Sequence, residues 1–226
     1  MVKNFKLKLY PPSMESFRYI VVEGPIGVGK TCLAKRLSAQ FKARCILESP
    51  EENPFLHRFY RDRKKYAFQT QIFFLLNRYR QQREMRQIDL FNQVTITDYL
   101  FVKDRIFAYL NLDENELALY ERIFALLDGR IPTPDLVIFL QAKPETLLSR
   151  IRARDIEYER EIDIEYLRAL SQAYNTYFFH YEESPLLVVD TTEIDFVNRE
   201  EDLENLIREV RSMRRGTCYY KPLGSK

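Results

Sequence analysis

Five short stretches of this chain are apolar and rich in β-branched residues, and helical patterns fill the intervals between them. The stretches are Arg18–Val22, Ala43–Glu48, Val94–Thr97, Asp135–Leu140 and Leu186–Asp190. Each is too short for a buried helix and is bounded by turn or charged residues, which predicts a buried strand. The intervals carry apolar residues at helical spacing: one helix ending near Phe41, and a long one over about 64–90 with Phe68, Ile72, Leu75, Leu76 and Tyr79 on one face. Further helical patterns run over about 102–127, from Pro144 into a charged segment, on to Tyr181, and over 199–211. Strands alternating with helices predict an α/β fold, a five-stranded parallel sheet with helices on both faces. In such sheets ligands gather at the carboxyl ends of the strands.

At the first of those ends stands Gly24-Pro25-Ile26-Gly27-Val28-Gly29-Lys30-Thr31, which fits G-x-x-x-x-G-K-[ST]. A strand precedes it and a helix follows it, the context that gives the pattern its physical meaning. Backbone N–H groups of the glycine-rich loop point inward at phosphate oxygens, and the helix adds its free N-terminal N–H groups and dipole. Lys30 reaches the β- and γ-phosphates of a bound nucleotide, and the Thr31 hydroxyl ligates Mg²⁺. Three of the chain's six glycines lie in this loop. The expectation is a P-loop nucleotide-binding protein.

Composition narrows the class without changing it. With 35 basic and 33 acidic residues the net charge of +2 over 226 residues offers no field for nucleic acid or a membrane surface. Cys32, Cys45 and Cys218 have no metal or redox spacing and suit a reducing cytoplasm. No apolar run approaches the ~18 residues of a membrane span. Residues 1–16 read as an extension without fixed structure, within which Met14 could serve as a start; 17–213 form the domain, and 214–226 read as a loose tail.

Two other strand ends carry carboxylates. Asp98 is placed like the acidic partner of a P-loop Mg²⁺ site, and otherwise like a helix cap. Glu48 faces the same cleft and can take the proton of an attacking hydroxyl, or sit in a loop salt bridge. Arg150 and Arg154 are four apart, share a helix face and suit a lid over phosphates, while Arg152 points away; a solvated charge run reads equally well. Gln71 and Arg78 lie two turns apart on the long helix and need partners if buried. A nucleobase edge, a carboxylate such as Asp104, or a subunit interface would each serve.

Together these segments resemble the deoxynucleoside kinases related to deoxycytidine, deoxyguanosine and deoxyadenosine kinases, from about Arg18 to Arg211. The bacterial purine-type members are matched through Glu48-Ser49-Pro50-Glu51-Glu52-Asn53-Pro54-Phe55, Ala67-Phe68-Gln69-Thr70-Gln71, Asp104-Arg105-Ile106-Phe107-Ala108 and Leu140-Gln141-Ala142-Lys143-Pro144-Glu145-Thr146. The resemblance implies Glu48 as general base, Tyr60 and Glu159 on the sugar 3′-hydroxyl, and Gln71, Arg78 and Asp104 on the base edge. It implies Arg150 and Arg154 as a short arginine-bearing lid on the donor phosphates, and a loop from Asp190 through Asp195 and Phe196 against the donor adenine. It also implies ATP and Mg²⁺ as cosubstrates and a homodimer formed by helix packing.

Three positions depart from the family pattern: Tyr99 stands where an arginine commonly follows the acid, the lid continues Arg154-Asp155-Ile156 rather than Arg-Gly-Arg, and Ser49 replaces a frequent proline. The expected activity is ATP-dependent phosphorylation of a deoxyribonucleoside 5′-hydroxyl, a purine nucleoside by the bacterial resemblance. A nucleoside monophosphate kinase is the nearest rival. A P-loop regulator without transfer activity is the rival of another class, and the absence of N-K-x-D disfavours a GTPase switch.

Overall fold

Burial explains why the apolar stretches become strands: the side chains of Ile20, Val21, Val22, Val137, Ile138 and Leu140 are wholly removed from solvent. Strands covered on both faces carry continuous apolar runs rather than alternation, as a parallel sheet requires. The computed structural model describes residues 17–88, 94–128 and 131–222. Its strands are β1 (Tyr19–Glu23), β2 (Arg44–Ile46), β3 (Thr95–Thr97), β4 (Leu136–Gln141), β5 (Leu186–Asp190) and β6 (Thr217–Tyr220). All pair in parallel in the order β2-β3-β1-β4-β5-β6, with Ile20 opposite both Ile96 and Leu136. The helices are α1 (Lys30–Phe41), α2 (Leu56–Arg61), α3 (Arg63–Ile88), α4 (Lys103–Asn111), α5 (Glu114–Asp128), α6 (Pro144–Arg154), α7 (Ile164–Phe179) and α8 (Glu200–Ser212). The chain runs outward from β1 to β2, returns through β3, and crosses to β4. The order therefore reverses beside β1, which opens a cleft at its carboxyl end.

Several expectations are corrected. The sheet has six strands, not five. Residues 217–220, read as part of a loose tail, pair with β5 from Leu186↔Thr217 to Val189↔Tyr220. An edge strand is held by backbone hydrogen bonds, and Thr217, Cys218 and Tyr219 are exposed, so no apolar run announced it. The helical stretch 102–127 is two helices. Asp113 accepts from the backbone N–H of Asn115 and Glu116, both at 2.9 Å, and Glu116 reaches back to the Asp113 N–H at 3.2 Å, a reciprocal cap that starts α5. Leu76 is 50 % exposed, whereas Phe68, Ile72 and Tyr79 pack on a second apolar cluster around Leu75, Phe101, Ala108, Tyr120 and Phe124. The expected extension at 1–16 and the expected helix end at Leu90 lie outside the described residues.

The main core joins the sheet to α7, where the Phe139 and Phe178 rings stack at 4.2 Å. Within it sits one carboxylate the apolar pattern did not single out. Glu23, at the end of β1 and fully buried, accepts from Gly24 N–H (2.8 Å), Leu100 N–H (2.7 Å) and the Tyr174 hydroxyl (3.1 Å). It ties the glycine loop, the segment after β3, and α7 together. In Glu23→Gln an amide NH₂ must face one of these N–H donors, leaving buried groups unpaired. The expected loss is about 2 kcal/mol, read as a lower urea midpoint at unchanged slope; an unchanged midpoint would contradict this role.

Candidate active site

The glycine loop Gly24–Thr31 joins β1 to α1 and forms the floor of the cleft. Gly27 has φ +84°, and a Cβ there would lie 2.8 Å from the Leu147 carbonyl oxygen and from Ile151, so the loop presses directly on α6. Gly29 has φ +101°, and a Cβ would strike the Phe196 ring at 2.7 Å. Both glycines are therefore needed for conformation and for close approach. The Lys30 Nζ donates to the Gly24 and Pro25 carbonyls at 2.8 and 3.1 Å, folded back over its own loop. Burial and then the neighbouring Lys103 ammonium lower it to about 8, against the pull of Glu23, Glu48 and Asp98.

Asp98 follows β3 directly and spends one carboxylate oxygen on each side of the cleft. Its Oδ2 accepts from the Thr31 hydroxyl at 2.5 Å, and its Oδ1 accepts from the Glu48 backbone N–H at 2.8 Å. Glu48 stands two residues beyond β2 and is gripped by cations. Its Oε1 accepts from Arg78 Nε (2.9 Å) and Nη2, and its Oε2 accepts from Lys103 Nζ at 2.7 Å. Despite burial, these two cations hold the Glu48 carboxyl well below the usual range. Arg78 Nη1 also donates to Asp104 Oδ1. Asp104 and Glu48 keep Arg78 more firmly protonated than usual despite its burial. Burial pushes Asp104 up to about 6 even beside that guanidinium.

The two halves of the cleft differ in shape. A smaller pocket of about 140 Å³, the more enclosed of the two, is lined by Glu48, Tyr60, Gln71, Arg78, Lys103 and Glu159, among others, and touches Lys30 and Thr31. A wider groove of about 890 Å³ runs over the glycine loop, Arg150 and the 192–199 segment. In the enclosed half, Gln71 Oε1 is buried without a hydrogen-bond partner, and so is Asp104 Oδ2 behind Arg78. Buried polar atoms left open in this way mark a place for a ligand's donors. Tyr60 stacks on Tyr158 at 6.1 Å. Glu159 accepts from Arg154 Nε (3.1 Å) and Nη2 (2.6 and 2.7 Å), and Arg154 borders both halves.

The residue range and site pattern match one family. The deoxynucleoside kinase profile covers residues 20–214. A deoxyguanosine kinase of Bacillus subtilis (strain 168) is 36% identical over 205 residues, 88% of this chain and 99% of that one. The chain belongs to the deoxynucleoside kinase family. A deoxyadenosine kinase of Dictyostelium discoideum is 33% identical, covering 87% of this chain and 80% of that protein. Among solved structures, the deoxyadenosine kinase of M. mycoides with dCMP and dCDP superposes with a TM-score of 0.75 at 27% identity, over 86% of this chain and 99% of that one. The same enzyme with dATP gives 0.74 at 26%, over 86% and 100%.

Within this family frame, the expected site residues converge. Glu48, Tyr60, Gln71, Arg78, Glu159 and Arg154 border the enclosed half with Thr31 and Asp98, and Asp104 stands behind Arg78. Arg150 is placed differently from a hand over phosphates. Its guanidinium donates to Thr191 Oγ1 (3.0 Å), Thr191 O (2.7 Å) and Ile194 O (2.9 Å), which braces the loop after β5. Asp195 caps the turn after it by accepting from Val197 and Asn198 N–H, and buried Phe196 leans on Gly29. Reasoning from sequence missed Lys103 and Glu23, whose local signals are one lysine among surface charges and one glutamate at a strand end.

The pH dependence of Asp104 has a definite sign. Its folded value of about 6 exceeds its ordinary 3.8, so between those values the folded protein holds a proton that the unfolded chain releases. Stability from this group is therefore lost as pH rises through that window. In urea melts at pH 4 and 6.5, the native protein should lose about 2–3 kcal/mol relative to Asp104→Asn across the interval. Parallel pH profiles would refute the raised carboxyl.

Proposed function

We propose that this kinase transfers the γ-phosphoryl group of ATP to the 5′-hydroxyl of a deoxyribonucleoside, with a purine as the preferred base. The observation that carries the reading is Glu48, whose backbone is held by Asp98 at the meeting point of the donor loop and the enclosed pocket. The hydroxyl oxygen forms its bond to the γ-phosphorus as the bond to the ADP oxygen breaks, and the Glu48 carboxylate receives the proton. Lys30 swings from its loop carbonyls to the phosphates. Arg154 sits between the halves and can leave Glu159 for the same charge.

The Thr31 hydroxyl and Asp98 carboxylate, hard oxygen donors 2.5 Å apart beside the loop, fit Mg²⁺, a cation that takes one or two protein oxygens plus phosphates and water. When bound, it neutralises charge on the donor phosphates. The open acceptor on Gln71 suits a base edge that offers N–H groups, such as guanine N1–H and N2–H₂ or adenine N6–H₂, with Asp104 acting through Arg78. Tyr60 and Glu159 face the sugar between them. The names of the deoxyguanosine and deoxyadenosine kinases that align over most of the chain support the same choice.

A nucleoside monophosphate kinase needs free cations for an acceptor phosphate, yet Arg78 is already committed to Glu48 and Asp104. A homodimer would bury the apolar groove between α4 and α7, lined by Ile106, Tyr109, Leu110, Ala173 and Tyr177. Among the described residues no helix is long and apolar enough to cross a membrane, and the three cysteines are free, which supports placement in the cytoplasm.

The test pairs acceptors with a variant. Purified protein with MgATP should phosphorylate deoxyguanosine or deoxyadenosine, and not their monophosphates. Glu48→Gln, which keeps an oxygen toward Arg78, should lower kcat by about 10²–10⁴-fold with ATP affinity nearly unchanged. Transfer to monophosphates alone, or an unchanged kcat in the variant, would refute the proposal.

A further inference from the structure

Lys103 opens α4, and its side chain is 6% exposed. Its Nζ lies 2.7 Å from Glu48 Oε2, with the Phe107 ring centroid at 5.7 Å. It lines the enclosed half of the cleft together with Lys30 and Thr31. Two ammonium groups therefore face the same small space. Buried like charges repel, and an anion that enters between them offsets that repulsion. The donor loop on one side and Glu48 on the other define what that anion is in the proposed reaction: the phosphoryl group in transit.

Arg78 and Arg150 are less free to take this place. Arg78 is fixed by Asp104 as well as Glu48. Arg150 is bonded to Thr191 and Ile194. Tyr99, the residue after Asp98, is fully buried and carries no charge. Lys103 is held to Glu48 through a single ammonium on a flexible stem, which can turn without moving the helix.

We propose that Lys103 is the acceptor-side cation of phosphoryl transfer, moving from Glu48 to the γ-phosphoryl oxygens when both substrates are bound. In the empty cleft it pairs with Glu48. Its departure leaves that carboxylate oxygen open to the 5′-hydroxyl. The balance of the step is unchanged: the 5′-oxygen–phosphorus bond forms, the bond to ADP breaks, the hydroxyl proton goes to Glu48, and Lys103 stays protonated throughout.

The inference rests on the kinase reading, and one experiment separates the two. Lys103→Gln keeps an N–H donor for Glu48 without the charge, and Lys103→Arg restores the charge. Thermal melts establish that each is folded. Turnover with MgATP is measured alongside binding of ADP with aluminium fluoride and the deoxynucleoside, a mimic of the transferring group. The expected result for Lys103→Gln is a kcat loss of about 100-fold and a similar loss of mimic binding. ADP and deoxynucleoside should each bind within about threefold of the native protein, and Lys103→Arg should recover at least about a tenth of native kcat. Native-like mimic binding by Lys103→Gln, or a Lys103→Arg protein as impaired as Lys103→Gln, would overturn the role. A native protein that neither turns over nor binds the mimic would instead overturn the kinase reading beneath it.

Discussion

Asp98 has two carboxylate oxygens and uses them on opposite halves of the cleft: one on the Thr31 hydroxyl of the donor loop, the other on the backbone N–H of Glu48. The sheet order makes this possible. β3 lies between β2, which leads to Glu48, and β1, which leads to the glycine loop, so a carboxylate just past β3 reaches both neighbours. Register then fixes the spacing, since Ile96 is paired with Ile20 on one side and Cys45 on the other. A side chain one position along would point to the other face of the sheet. The spacing between the glycine loop and Glu48 is thus tied to the sheet through Asp98.

Beyond Asp98 the enclosed half is governed by charge balance. Glu48 and Asp104 face Arg78 and Lys103, two anions against two cations in a space nearly closed to water. Burying such groups is costly, and their mutual attraction offsets that cost only while the set stays complete. The set is therefore a poor source of stability and a good source of selectivity. A neutral nucleoside enters without adding charge to either side of this balance. The same balance is what holds the Glu48 carboxyl low despite its burial.

Much of this was legible in the sequence, for reasons that differ by element. The glycine loop has a strict pattern, and buried parallel strands leave continuous apolar runs, so Asp98 and Glu48 could be placed at strand ends before any geometry was known. Gln71 and Arg78 followed from helical period. What periodicity leaves open is which partner a buried polar group takes: Arg78 could have met a base, a carboxylate or another subunit, and it meets Glu48 and Asp104. β6 escaped because its side chains are exposed and only its backbone is engaged. Lys103 escaped because a lysine at a helix start is ordinarily a solvated one, and what buries it is the approach of Glu48 from a strand 55 residues away.

Arg150 and Arg154 show how equal spacing can hide unequal duties. One turn apart on α6, they share a face as the sequence predicts, but Gly27 brings the loop so close to Leu147 and Ile151 that the face divides. Arg150 is drawn to the carbonyls of the loop after β5, which it braces beside the donor groove. Arg154, at the end of the helix and 44% exposed, is left to Glu159. In the proposed reaction Glu159 faces the sugar, so a bound deoxynucleoside competes for the carboxylate that restrains Arg154. Filling the acceptor half then releases a cation toward the donor half. Binding on one side of the cleft would in this way prepare the charge needed on the other, with Glu159 as the point of exchange.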